Sequence, residues 1–158
     1  MTNSYSFNFY SKSDFENLLK IVIEFRQHLK REKKKLSVSD KEKVEKEERK
    51  FLKANSTDKN YRFYVCQYKN DIVGFTWFGK QDADKTKGFI GELYVRPGHR
   101  KNGIATKLLY EAKKWIKENN CIEIEINVFT TDQNAINLYE KLGYKRQKHY
   151  AVTYKKRL

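Results

Sequence analysis

The segment from Gly88 to Leu109, GFIGELYVRPGHRKNGIATKLL, sets the tightest limit on how this chain folds. An apolar β run over 89–95 enters a basic loop containing Gly98 and Gly103, and that loop opens directly into an amphipathic helix predicted over 103–119. A second β run, 122–129, follows at once. Strand, helix and strand in that order form a crossover that lays two parallel strands in one sheet. The same order builds an anion site: the strand delivers the backbone, glycines permit left-handed turns, and the helix start presents N–H groups that no carbonyl takes up.

The rest of the chain surrounds this unit with antiparallel strands. Phe7 and Phe9 alternate with polar neighbours as a short first strand, and Ser13-Asp14 then caps a helix with the stripe Phe15, Leu18, Leu19, Val22, Ile23 and Phe25. Residues 30–53 are dense in charge. Ser39 or Asp40 starts a second, mostly solvated helix there, anchored by Val44, Phe51 and Leu52, and 31–50 reads as a candidate insertion. The runs 61–68 and 72–78, separated by Lys69-Asn70-Asp71, predict a hairpin. A helix over about 132–142 and one or two closing strands within 144–156 complete the chain. The reading is a single α/β domain with a mixed, mostly antiparallel sheet of about six to seven strands, a splayed parallel pair and about four flanking helices.

Composition narrows the function classes. Lys and Arg number 34 against 20 Asp and Glu, a formal +14 that attracts nucleotides, nucleic acid and other polyanions without naming one. Two cysteines, Cys66 and Cys121, lie in or beside apolar runs, as buried free thiols of a reducing compartment do. No apolar stretch reaches 18 residues and the first residues lack a signal-peptide pattern, so the expected location is cytoplasmic, away from membranes. His28, His99 and His149 are scattered without metal-ligand spacing, and no GxSxG elbow occurs; metal and hydrolase chemistry are not expected.

Two segments carry the chemistry. In RKNGIAT, Arg100, Gly103 and Ala105 follow a basic-x-x-Gly-x-Ala pattern whose amides over 101–106, with the Thr106 hydroxyl, converge on a pyrophosphate. The loop lacks the Gly-Lys-Ser/Thr ending of triphosphatases and the three-glycine dinucleotide fingerprint. One strand further on lies DQNAINLYEKLGY, residues 132–144. Together, in order and spacing over about 61–154, these segments resemble the GNAT superfamily of N-acetyltransferases; residues 1–60 fit its first strand and two helices only loosely.

That resemblance implies one N-acetyltransferase domain over 1–158, with 1–60 on the acceptor side and 61–158 as the core that binds acetyl-CoA. It implies that acetyl-CoA is the co-substrate, with its pyrophosphate on the amides of Lys101, Asn102, Gly103, Ile104, Ala105 and Thr106, aided by Arg100. Arg96 and Lys107 add positive charge, and the backbone of Leu93, Tyr94 and Val95 pairs with the pantetheine arm. Tyr139 matches the tyrosine that protonates the departing thiolate in many members, and a strand amide near Val95 holds the oxyanion. Asp132 stands where many relatives have Asn, keeping a helix cap but losing an amide donor, with Asn134 nearby.

An alkylammonium with a pKa of about 10 is only about 0.1% neutral at pH 7, so the acceptor needs a base. Glu92 leads, because alternation places it on one face with Tyr94; Glu123 and Glu125 are reserves. Tyr61, Tyr64, Trp77 and Tyr150 are candidates to line the acceptor cleft. The expected acceptor is a small-molecule amine, attacked onto the thioester directly in a ternary complex. The alternatives are a protein amine, aminoacyl-tRNA as the sole nucleic-acid partner, or a non-catalytic module that senses CoA or binds nucleic acid. Relatives of this kind are often homodimers.

Overall fold

The computed structural model describes residues 4–31, 38–128 and 132–147. The elements are β1 (Ser6–Phe9), α1 (Phe15–Arg31), α2 (Val38–Asn55), β2 (Tyr61–Tyr68), β3 (Asp71–Lys80), β4 (Lys87–Val95), α3 (Ile104–Glu118), β5 (Glu123–Ile126) and α4 (Gln133–Lys141). Two units make up the chain, one ending at Ile126 and one beginning at Asn127; α4 belongs to the second.

In the first unit the five strands lie in chain order, β1-β2-β3-β4-β5. Every pair is antiparallel except β4 with β5, which α3 joins as the crossover. The sheet is therefore mixed and mostly antiparallel, as expected, but it has five strands among the described residues rather than six or seven. Most of the predicted closing segment lies outside them, and 144–147 form no strand. The second β run is also shorter than predicted, Glu123–Ile126, with Phe129 outside the described residues.

Lys69 and Asn70 take φ of 49° and 68°, which matches the turn to the right-handed twist of the β2–β3 hairpin and sets Tyr68 opposite Asp71. One sheet face packs Phe63, Val65, Phe75 and Tyr94 against Leu18, Leu19, Ile21 and Val22 of α1 and Leu52 of α2. Each such large apolar side chain, once removed from water, contributes roughly 1.5–3 kcal/mol. The other face takes Ile104, Leu108, Leu109, Ala112 and Ile116 of α3, with Phe78 edge-on to Trp115. α2 is thus no insertion: Val44 and Leu52 are buried, and the helix closes the core. Among the described residues no helix is long and apolar enough to cross a membrane.

Where Trp77 pairs with Glu92 and Phe78 with Ile90, Gly91 is an extra residue in β4, a bulge. A Cβ there would lie 2.6 Å from Cε3 and Cζ3 of Trp77, so only glycine fits. Past Gly91 the strand's faces exchange. Glu92 and Tyr94 consequently point toward α1 and α2, although Ile90 faces α3.

Candidate active site

Two features of β4 meet at its C-terminal end. Pairing with β3 continues to Val95, whereas the parallel ladder with β5 stops at Ile90. No residue of β5 lies opposite the last residues of β4, where Leu93 is half-buried and Tyr94 and Val95 are buried. The chain then makes a short turn over Pro97–His99, and Lys101 takes φ of 64°. Gly103 caps α3 in the left-handed conformation, φ 74°, without any side-chain acceptor. Because Lys107 N–H is the one that reaches Gly103 O, at 3.0 Å, the amides of Ile104, Ala105 and Thr106 precede the helical ladder. Asn102 fixes the turn from within, its Nδ2 donating to His99 O at 3.1 Å and Arg100 O at 3.2 Å.

The basic side chains near this turn are largely engaged by the protein. Arg96 makes a bidentate pair with Glu24, at 2.7 and 2.8 Å. Arg100 donates its Nε to Val95 O at 2.9 Å and lies over the Tyr94 ring. Lys107 pairs with Glu111 at 2.9 Å. Lys101, Asn102 and Thr106 are exposed, Ala105 is half-exposed and Ile104 anchors the helix in the core.

Glu92 belongs to a charged group, centred on Arg26, that sequence reasoning missed. Its carboxylate is 8% exposed; Oε1 accepts from Arg26 Nη2, and Oε2 is buried with no hydrogen-bond partner among the described residues. Arg26 in turn pairs with Glu48 of α2, Nε to Oε1 at 2.7 Å and Nη2 to Oε2 at 3.3 Å. Burial pushes the Glu92 carboxyl above its ordinary range, and Arg26 pulls against it. The Thr76 hydroxyl, itself fully buried, donates to Glu92 O at 2.9 Å and steadies the backbone. A signal for Arg26 and Glu48 was present: Arg26 continues the stripe of Leu19 and Val22, and Glu48 sits midway between Val44 and Leu52. Glu123 and Glu125 are exposed on the paired half of the β4–β5 ladder, near Lys87 and Gln81.

Of the aromatic candidates for an acceptor cleft, Trp77 packs among Phe51, Tyr61, Phe63 and Phe89 on the Glu92 face. The Tyr61 hydroxyl donates to Asp82 at 2.6 Å. Tyr64, stacked edge-on with Phe9, occupies the opposite face. Tyr150 and His149 lie outside the described residues. His99 contacts Tyr5 through Nδ1 at 3.1 Å, and no group of metal-ligating residues occurs among those described. Cys66 and Cys121 are buried free thiols, as read from the sequence.

In the second unit, Asp132 caps α4 by accepting from Ala135 N–H at 3.0 Å, so the cap expected of it is present; Asn134 is exposed. The helix ends in a Schellman turn: Gly143 at φ 87° donates to Glu140 O, and Tyr144 N–H reaches Tyr139 O, both at 3.0 Å. This is the physical content of the Leu-Gly-Tyr ending, since the hydrophobic contact that accompanies such a turn is the edge-on packing of Tyr144 on Tyr139. Burial, with a smaller contribution from the Asp132 charge, pushes the Tyr139 hydroxyl up to about 12.

The sequence profile of the acetyltransferase (GNAT) family matches residues 23–144, from α1 through the Schellman turn. The chain belongs to the GNAT family. Within it, the chain is 37% identical over 62 residues to human N-alpha-acetyltransferase 30, a match covering 39% of this chain and 17% of that protein. It is 34% identical over 101 residues to an N-alpha-acetyltransferase of Sulfurisphaera tokodaii, covering 56% of this chain and 60% of the other. The chain thus spans under two thirds of the length of these curated relatives. The GNAT fold recurs in the solved structure of the aminoglycoside N-acetyltransferase AAC(6')-Iy in complex with CoA, with a TM-score of 0.76 at 13% identity, covering 100% of this chain and 98% of that one.

Proposed function

We propose that this chain is an acetyl-CoA-dependent N-acetyltransferase, one domain over 1–158, that transfers acetyl to a primary amine by direct attack in a ternary complex. One observation carries the reading: β4 loses its parallel partner at Ile90 and runs, through Val95 and the turn, to the uncapped amides at the start of α3. A peptide-like arm followed by a pyrophosphate matches that track, with β-type pairing at Leu93, Tyr94 and Val95 and anion binding over 101–106. CoA in the AAC(6')-Iy structure and the family match support it. Arg100 contributes by holding Val95 O and Asn102 by holding the turn, more than as phosphate ligands.

Acetyl-CoA supplies the activated acyl group as a thioester. Glu92, through Oε2, takes a proton from the acceptor ammonium and leaves a neutral amine to attack. An amide near Val95 stabilises charge developing on the carbonyl oxygen. Tyr139 assists the leaving sulfur. Burial holds the Tyr139 hydroxyl protonated, pushed up to about 12, and so disfavours complete transfer of its proton to the sulfur. Tyr139 therefore acts as a hydrogen-bond donor to the departing sulfur.

The acceptor read from the sequence is a small-molecule amine, a class to which an aminoglycoside also belongs. A second reading, an α-amine at the start of a protein chain, is favoured by the names of the sequence relatives, N-alpha-acetyltransferases at 34% and 37% identity. Release of free thiol from acetyl-CoA, measured with small amines, peptides with free α-amines and charged tRNA in parallel, tests the activity and separates the acceptors.

A further inference from the structure

The charge around Glu92 is unevenly shared. Arg26 gives two contacts to Glu48 and one to Glu92, so one guanidinium serves two carboxylates. The three side chains are 25%, 12% and 8% exposed, and together they carry one surplus negative charge where water screens it little. An undivided Arg26–Glu92 pair would hold Glu92 ionised and reluctant to accept a proton. Glu48 divides it. It also reaches the site from α2, the helix that only a charged face and three apolar anchors represent in the sequence.

We propose that Glu48 is a positioning residue that, by engaging Arg26 through both carboxylate oxygens, keeps Glu92 basic enough to take a proton from the acceptor's ammonium group. The proposal rests on the reading of Glu92 as the base. In the step, one N–H bond of the ammonium breaks, its electron pair stays on nitrogen, and the proton bonds to Glu92 Oε2. The trio thereby passes from one net negative charge to none.

Among the described residues, α1, α2 and β4 contribute the charged and titratable groups around Glu92. α1 contributes Arg26 and, two residues further, His28, which lies against the Tyr94 ring; α2 contributes Glu48. β4 itself adds Tyr94 and, at its end, Arg96, which is held by Glu24. The charge of Glu48 acts on Glu92 in the direction the proposal requires, upward, and that of Arg26 acts downward.

Two variants therefore have opposite signs. In profiles of kcat/KM against pH with one acceptor, Glu48→Gln moves the acid limb to lower pH by about one unit and lowers the plateau, whereas Arg26→Met moves it to higher pH by about one unit or more. Glu48→Asp returns the limb toward its original position. Titration of Glu92 by NMR of carboxyl-labelled glutamate, assigned with Glu92→Gln, follows the same shifts without turnover. A limb and a Glu92 titration that stay in place in Glu48→Gln, or move upward, overturn the proposal. A limb lost in Glu92→Gln but unmoved in Glu48→Gln removes only the role of Glu48; a limb that survives Glu92→Gln removes the base reading and the proposal with it.

Discussion

Alanine at Gly103, compared with alanine at Gly98, isolates the backbone conformation on which the anion-binding turn depends. Both glycines lie in the same turn, and a Cβ at either meets no atom within 4 Å, so neither substitution creates a clash. Only Gly103 has a positive φ, at 74°. Each alanine removes a similar entropy from the unfolded chain, a stabilising effect of about 0.4–1 kcal/mol. That part cancels when the two variants are compared. What remains is the cost of a left-handed alanine, roughly 1–2 kcal/mol. For a chain of this size that difference is a gap of roughly 2–8 °C in Tm, with Gly103→Ala the less stable. If the free variant relaxes its turn, CoA binding has to rebuild it, and calorimetric titration then shows affinity weakened by up to about 5–30-fold in Gly103→Ala but not in Gly98→Ala. Equal melting temperatures would refute the claim that the turn is held in this conformation. A destabilised Gly103→Ala that binds CoA as wild type does would uncouple the turn from the cofactor.

Truncating Leu52, fully buried on α2, to alanine is expected to cost about 2–5 kcal/mol in chemical denaturation, because α2 closes the core; a change below about 0.5 kcal/mol would return α2 to the status of a surface insertion. Tyr139 is expected to ionise at about 12, against 10 for an ordinary tyrosine, seen as the ultraviolet difference between wild type and Tyr139→Phe during alkaline titration. The native state then keeps a proton that the unfolded state releases, so this group's stabilisation is complete below pH 10 and is lost as pH rises toward 12. Ionisation at the ordinary value would contradict the buried environment.

What the sequence made legible was local. The Lys69-Asn70-Asp71 spacing foretold a tight hairpin because few residues accept two consecutive positive φ values, and the glycine before Ile104 marked the start of α3. The order strand, helix, strand placed the parallel pair, and the cap at Asp132 was where the spacing put it. What escaped was non-local. Arg26 and Glu48 sit at stripe positions where an apolar residue is expected, and their meaning appears only when α1 and α2 lie side by side over β4. The bulge at Gly91 was equally hidden, since what requires glycine there is the Trp77 ring on a neighbouring strand. Glu92 was named from alternation along β4, and the fold supplied what alternation could not: a buried, half-paired carboxylate. Arg96 and Lys107, read from the sequence as positive charge beside the turn, each have a carboxylate partner, Glu24 and Glu111, that the sequence reading did not name.

Acetyl transfer from acetyl-CoA to an amine is tested most directly by following both products of one reaction. With acetyl-CoA and an acceptor panel, free thiol and acetylated amine, the latter identified by mass spectrometry, are expected to appear in equal amounts and to depend on the acceptor, with the rate falling steeply in Glu92→Gln. Tight binding of acetyl-CoA with no acceptor-dependent thiol release, across small amines, peptides and charged tRNA, would contradict it.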